Sequence, residues 1–302
     1  MNKILLLGAN GQVGWELQRS LAPLAPLVAC DRQHGDLSDL QGLTRLIDEE
    51  RPSIIVNAGA YTAVDKAESD IDGARRVNAE AVATLAMAAR KQETWLVHYS
   101  TDYVFDGSGN QPFDEDAITG PLSIYGQSKL EGEEAIRKSG CRHLIFRTSW
   151  VYASRGANFA KTMLRLAKDR DELRVIADQF GAPTSAELIA DVTALALQRL
   201  AYDAKLREQA SGTYHLVASG ETSWHHYAQF VITEAIRLGS SLRTTPENIT
   251  PITTSEYPLP ARRPTNSRLA NSKLQQTFNV VLPAWEYHVQ RMIRELADQG
   301  MI

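Results

Sequence analysis

Cysteine is almost missing from this chain: Cys30 and Cys141 are the only two in 302 residues, and each lies in an apolar stretch. A disulfide framework or a cysteine-based zinc centre has no material here, and both thiols are expected to be buried. Long apolar runs are missing as well. The first run, Ile4 to Leu7, stops at Gly8, too short for a bilayer span or for the core of a secretory leader, so no membrane association and a cytoplasmic address are expected. Nor is there an excess of positive charge. With 32 basic and 36 acidic residues the formal net charge is −4, which argues against nucleic acid as a partner and leaves small phosphorylated molecules for any local basic pocket. Internal repeats and low-complexity tails are likewise lacking. What is there is ordinary globular usage, 43% hydrophobic and 23% charged, at a length that suits one compact body or one domain with a smaller appendage.

Short apolar runs near 3–7, 26–30, 53–58, 94–99 and 143–149 read as strands, and amphipathic helical patterns fill the gaps between them. Such alternation predicts an α/β fold, a doubly wound parallel sheet of Rossmann type, with ligands outside the carboxyl ends of the strands. Beyond about residue 150 the rhythm loosens: helices near 157–170, 185–201, 223–238 and 284–298 are joined by short strands at 173–176 and 213–217 and by the Pro-rich tract 257–264. This predicts a dinucleotide-binding domain over 1–150, which can regain elements from 185–218, and a smaller, mixed α/β substrate-binding region over 151–302.

Directly after the first strand comes GANGQVG, with Gly8, Gly11 and Gly14 at threefold spacing ahead of a helix. Glycine permits a sharp turn and brings backbone N–H groups, with the positive end of the helix, close to a pyrophosphate. Alone the match is weak, since many strand-to-helix turns use glycine and bind nothing. Asp31 follows the second strand, where an acidic side chain can meet ribose hydroxyls; Arg32 beside it can accept a 2′-phosphate, so NADH and NADPH both remain open. Asp36 and Leu37 follow at a distance suited to the adenine end.

Tyr125-Gly126-Gln127-Ser128-Lys129 puts a phenol and an amine four residues apart, on one face of a predicted helix. A phenol ordinarily titrates near pH 10, and a neighbouring positive charge lets it serve as a proton donor to a carbonyl oxygen. The same pair is common on solvated helices. A third member is at hand in YSTDYVFDG (99–107), where Thr101 ends the fourth strand and could orient a substrate oxygen, with Asp102 next to it; a plain turn would use the same residues.

Together, GANGQVG, NAGAYTAVDKAE (57–68), HYSTDYVFDG (98–107), YGQSKLEGE (125–133) and FRTSWVY (146–152) resemble the extended short-chain dehydrogenases. The last two, with DQFGAPT (178–184) and ARRPTNS (261–267), are similar to the dTDP-4-dehydrorhamnose reductases among them. The resemblance implies reduction of the C4 ketone of dTDP-4-dehydro-β-L-rhamnose by NADPH or NADH, in the synthesis of activated rhamnose for lipopolysaccharide O-antigen. It also implies a role for each matching residue. Gly11, Gln12 and Val13 would line the cofactor diphosphate, Asp31, Asp36 and Leu37 its adenosine end, and Ala60, Tyr61, Thr62 and Tyr99 the remainder. Tyr125 and Lys129 would be the catalytic pair, with the lysine lowering the phenol's pKa. Thr101, Asp102 and Trp150 would touch the deoxysugar, and Arg262 and Arg263 its nucleotide diphosphate. Members of the family are also associated with homodimers and with magnesium, for which Glu16, Glu187 and Glu295 stand at matching positions. Related dehydratases carry Asp-Glu after the threonine, whereas here Asp102 is followed by Tyr103, which removes the expected base. Two alternatives stay open: a cofactor-binding regulatory subunit without turnover, and an epimerase or reductase for another nucleotide sugar.

Overall fold

A computed structural model describes residues 2–302. Six apolar runs lie side by side as one parallel sheet: β1 (Ile4–Leu7), β2 (Leu27–Cys30), β3 (Ile54–Asn57), β4 (Trp95–Thr101), β5 (Arg142–Thr148) and β6 (Gly212–His215), in the spatial order β2-β1-β3-β4-β5-β6. Their runs are continuous rather than alternating because both faces are covered. Leu5, Leu7, Ile55 and Leu96 turn to one layer, where they meet Leu43 and Ile47 of α2 (Leu40–Glu50) and Val82 and Leu85 of α3 (Ala81–Lys91). Ile4, Leu6, Ile54, Val56 and Val97 turn to the other, against Leu17 and Leu21 of α1 (Gln12–Leu21). The doubly wound architecture follows from this two-sided burial.

Helix starts obey local capping chemistry. Ser123 accepts from the Gly126 N–H at 3.2 Å and opens α4 (Ile124–Ser139); a later Asn158 accepts from Lys161 at 3.1 Å and opens α5 (Phe159–Asp169). Ser185 does the same for α6 (Ala186–Tyr202), and Ser223 for α7 (Trp224–Arg237).

The second half of the chain returns two elements to the sheet layers. β6 pairs with β5 in the register Gly212↔Leu144, and α6 packs on α1, where Asp191 accepts from Arg19 at 2.9 Å and Ser20 at 2.5 Å. α5, α7 and a two-stranded parallel pair, Leu173–Ile176 with Ile249–Ile252, enclose a separate apolar cluster that includes Met163, Val175 and Ile232. The last helix, α8 (Trp285–Asp298), buries Trp285 and Val289 in the main core. Because β1 sits between β2 and β3, the chain steps from β1 to β2 on one side and then crosses back to β3 on the other, and a crevice opens at the carboxyl ends of β1 and β3. Among the described residues no helix is long and apolar enough to cross a membrane.

Candidate active site

The crevice is a cleft of about 650 Å³, within the range of small-molecule sites. One end is built by the glycine turn. Gly8 has φ of +80°, and a Cβ on it would stand 2.5 Å from the Gly59 nitrogen; a Cβ on Gly14 would stand 2.0 Å from the Gly8 oxygen. Only glycine lets α1 start this close to β1 and β3. Gly11 is the N-cap and offers no side chain to the first helical turn, so N–H groups beside Gln12 and Val13 are left for an anion in the cleft. Gly14→Ala is expected to force the turn apart and weaken binding of any diphosphate at this end of the cleft by about tenfold or more, roughly 1.4 kcal/mol, as titration calorimetry would measure.

Asp31 and Arg32 line the same end. Asp31 is held in place by His34 Nδ1 at 2.8 Å and by the Gln33 N–H at 3.0 Å, and these bonds keep its carboxyl below the usual range, the His34 contact first. Arg32 is exposed, 3.8 Å from Asp36. Asp36 itself closes a turn by accepting from the Ser38 N–H at 2.9 Å, and Leu37 is buried in the core beneath Gly59. Neither lines the cleft, nor does Tyr61, whose hydroxyl donates to Asp70 at 2.9 Å. Ala60 and Thr62 on either side of Tyr61 do.

At the inner end β4 delivers Tyr99, Thr101 and Asp102, and the first turns of α4 deliver Tyr125 and Lys129. Thr101 Oγ1 donates to Asp102 Oδ1 at 3.0 Å and accepts from the Tyr103 N–H at 3.2 Å. Asp102 is buried with Oδ2 unpartnered, and burial pushes its carboxyl up to about 6. The Tyr103 ring meets Tyr125 edge-on at 5.6 Å. Burial pushes the Tyr125 phenol up to about 12; the Thr101 hydroxyl draws it back in part, and Asp102 adds to the rise. Burial, not the amine expected to lower it, sets the direction for this phenol. Lys129 is itself pushed down to about 8 by burial, against the pull of Glu133.

Two tryptophans form the far wall. Trp150 adopts φ of +49° and stacks on Trp224 with ring centroids 3.6 Å apart and planes 15° apart. Trp224 Nε1 donates to Gln179 Oε1 at 3.2 Å. Trp224 also lines a second cavity of about 640 Å³, with Leu173, Val175, Ile252, Tyr257 and Arg263. Arg263 holds Asp65 with a two-pronged bond, 3.0 and 2.8 Å.

The sequence matches the family described as RmlD substrate binding domain over residues 1–298. It is 53% identical over 297 residues to the dTDP-4-dehydrorhamnose reductase of Shigella flexneri, covering 97% of each chain. The chain belongs to the dTDP-4-dehydrorhamnose reductase family. Two solved structures of that name agree: the Clostridium acetobutylicum protein, with a TM-score of 0.88, 35% identity and coverage of 98% and 99%, and the Bacillus anthracis protein in complex with NADP, with a TM-score of 0.86, 33% identity and coverage of 97% and 99%.

In this family member the arginines of the ARRP stretch part company: Arg263 lines the second cavity, while Arg262 is exposed and lines neither cavity. The three glutamates named for magnesium do stand near one another: burial first, and then the charge of Glu187 with Glu295 adding, raises the Glu16 carboxyl. No group of three or more His, Cys, Asp or Glu side chains among the described residues is arranged to hold a metal ion. Glu16 pairs with Arg19 and Glu187 with Arg291, each at 3.5 Å, and Glu295 accepts from Ser154 at 3.3 Å. Trp224 and Gln179 were not singled out from the sequence. The one available signal was an aromatic residue opening a helix right after a Ser cap, a pattern too common to be specific.

Proposed function

We propose that the cleft reduces the C4 ketone of dTDP-4-dehydro-β-L-rhamnose to the alcohol of dTDP-L-rhamnose. The observation that carries this reading is the convergence of Thr101, Tyr125 and Lys129 at the inner end of one cleft, in a chain similar along nearly its whole length to enzymes named for that reaction. A nicotinamide dinucleotide suits the outer end: the uncapped start of α1 for its diphosphate, Asp31 or Arg32 for the adenosine ribose with or without a phosphate, and Ala60, Thr62 and Tyr99 along its length. The chemistry a reduced nicotinamide brings when bound is delivery of a hydride to the carbonyl carbon.

The protein supplies the rest. Tyr125, protonated across the neutral range, donates its phenol proton to the carbonyl oxygen; Thr101 holds that oxygen in line; Lys129, charged below about pH 8, stabilises the phenolate left behind. Trp150 and Asp102 flank the sugar, and the second cavity, lined by apolar side chains together with Arg170, Arg174 and Arg263, takes the nucleotide end. Trp224→Ala, which removes the ring stacked on Trp150, is expected to raise KM for the nucleotide sugar by about tenfold, the upper end of an aromatic pair's worth, with NADPH affinity unchanged. The same reading carries a cytoplasmic address and a homodimer, the latter checked by sedimentation. Incubation with NADPH and the keto sugar made in situ, followed by NMR of the product, tests the reaction: dTDP-L-rhamnose supports it, and recovered ketone or its epimer overturns it.

A further inference from the structure

Beneath Lys129 lies a hydrogen-bonded chain whose direction is fixed from one end. Asn57, the last residue of β3, is buried, and its Oδ1 accepts from the Gly59 backbone N–H at 3.2 Å, a donor that cannot reverse. The other end of the carboxamide, Nδ2, is then the donor to His98 Nδ1 at 3.2 Å. Burial holds His98 neutral, far below the usual imidazole range, so a ring that accepts at Nδ1 carries its proton on Nε2. That Nε2–H faces Lys129 Nζ at 3.3 Å, while Nζ donates to the Tyr99 carbonyl at 2.6 Å. A neutral amine satisfies both contacts, accepting through its lone pair and donating through one N–H, and keeps a second N–H for the cleft. An ammonium has no lone pair and would set two donors against each other.

We propose that Asn57 and His98 are positioning residues for Lys129: they confront its amine with an N–H donor, fix its orientation and favour its neutral form. The proposal rests on the reading of Lys129 as the partner of Tyr125. The titratable groups around the amine are Tyr125 and Glu133 on its own helix, His98 on β4, and Arg147 on β5 behind Glu133. Glu133 favours the charged amine, but its carboxylate is already held by Arg147 at 2.9 and 2.7 Å and by Arg137. The lysine thus gains and loses its proton close to neutrality, where it can take part in returning a proton to Tyr125.

Nitrogen NMR of the whole protein labelled with 15N-histidine tests the chain without reference to turnover, the His98 signals being those lost in His98→Gln. The expected tautomer is Nε2–H. In Asn57→Asp one carboxylate oxygen keeps the Gly59 N–H and the other accepts from His98, so the proton moves to Nδ1, Nε2 accepts from Lys129, and the alkaline limb of kcat/KM rises by about one pH unit. An Nδ1–H tautomer in the parent protein overturns the proposal, as does an alkaline limb that stays in place once the tautomer has switched. The expected tautomer in a protein that reduces no keto sugar would instead sink the functional reading and leave the chain intact.

Discussion

Tyr125→Phe is expected to cut turnover by about 10³-fold, within the ~10²–10⁴ that a positioned proton donor contributes, while NADPH binding stays within about twofold. The substitution deletes one oxygen and keeps the ring that packs edge-on against Tyr103, so neither the fold nor the cleft should move. Because the phenol is raised to about 12, it holds its proton throughout the neutral range. Tyr103 is the natural control. Burial raises its phenol as well, with Asp102 adding to the rise, and it lines the same cleft. Tyr103→Phe should leave most of the rate; loss of turnover in that variant with retention in Tyr125→Phe would exchange the two roles. Steady-state rates with both reduced cofactors, together with fluorescence titration, separate chemistry from binding.

The largest effect on stability is expected from Arg147→Met, about 3–5 kcal/mol by chemical denaturation at neutral pH. Arg147 and Glu133 are 2% and 0% exposed, joined by bonds of 2.9 and 2.7 Å, and the guanidinium also lies over the Phe105 ring at 5.0 Å. Methionine fills the space but leaves the Glu133 carboxylate in the interior, with Arg137 at the helix surface as its remaining cation. Burial alone would raise the Glu133 carboxyl; the hydrogen bonds and charge of Arg147, helped by Ser100 and Arg137, hold it below the ordinary 4.5. A carboxyl lowered in the folded state contributes stability that is present above its unfolded value and is lost as pH falls through its folded value. The parent should therefore lose this contribution below about pH 4.5. In Arg147→Met the carboxyl is no longer lowered, Glu133 takes up a proton at milder acidity, and the deficit relative to the parent should shrink between pH 7 and pH 5. An equal deficit at both values would mean that the methionine's packing, rather than the stranded charge, sets the loss. The pair matters beyond stability, since it ties α4, which carries Tyr125 and Lys129, to β5 of the sheet.

Much of the architecture was legible because it is dictated locally. Apolar runs bounded by glycine, aspartate or serine fall where β1 to β5 fall, within one or two residues, and the strand at 173–176 lies where its pattern predicts. The glycine turn and the i,i+4 spacing of Tyr125 and Lys129 are likewise short-range facts. What the sequence hid is long-range. Nothing in the spacing of Trp150 and Trp224, more than seventy residues apart, announces that their rings stack, because that contact depends on α7 folding back over the carboxyl edge of the sheet. Asp36 and Leu37 read as cofactor contacts from their distance beyond Asp31, and only the fold shows that Ser38 ties one carboxylate oxygen into a turn and that Leu37 lies buried against Gly59. Arg262 and Arg263 are adjacent in an extended stretch, so they point apart, and only the second finds Asp65. The Asn57–His98 chain is long-range in the same way: its members come from two strands that touch only in the folded sheet.

The most direct test of the central assignment is to supply purified protein with NADPH deuterated at the transferred position and with dTDP-4-dehydro-β-L-rhamnose made in situ, and to locate the label by NMR. Deuterium at C4 of dTDP-L-rhamnose, with one cofactor oxidised per product formed, is the predicted result. Cofactor that binds but is not consumed, or a product that carries no label at C4, would contradict it.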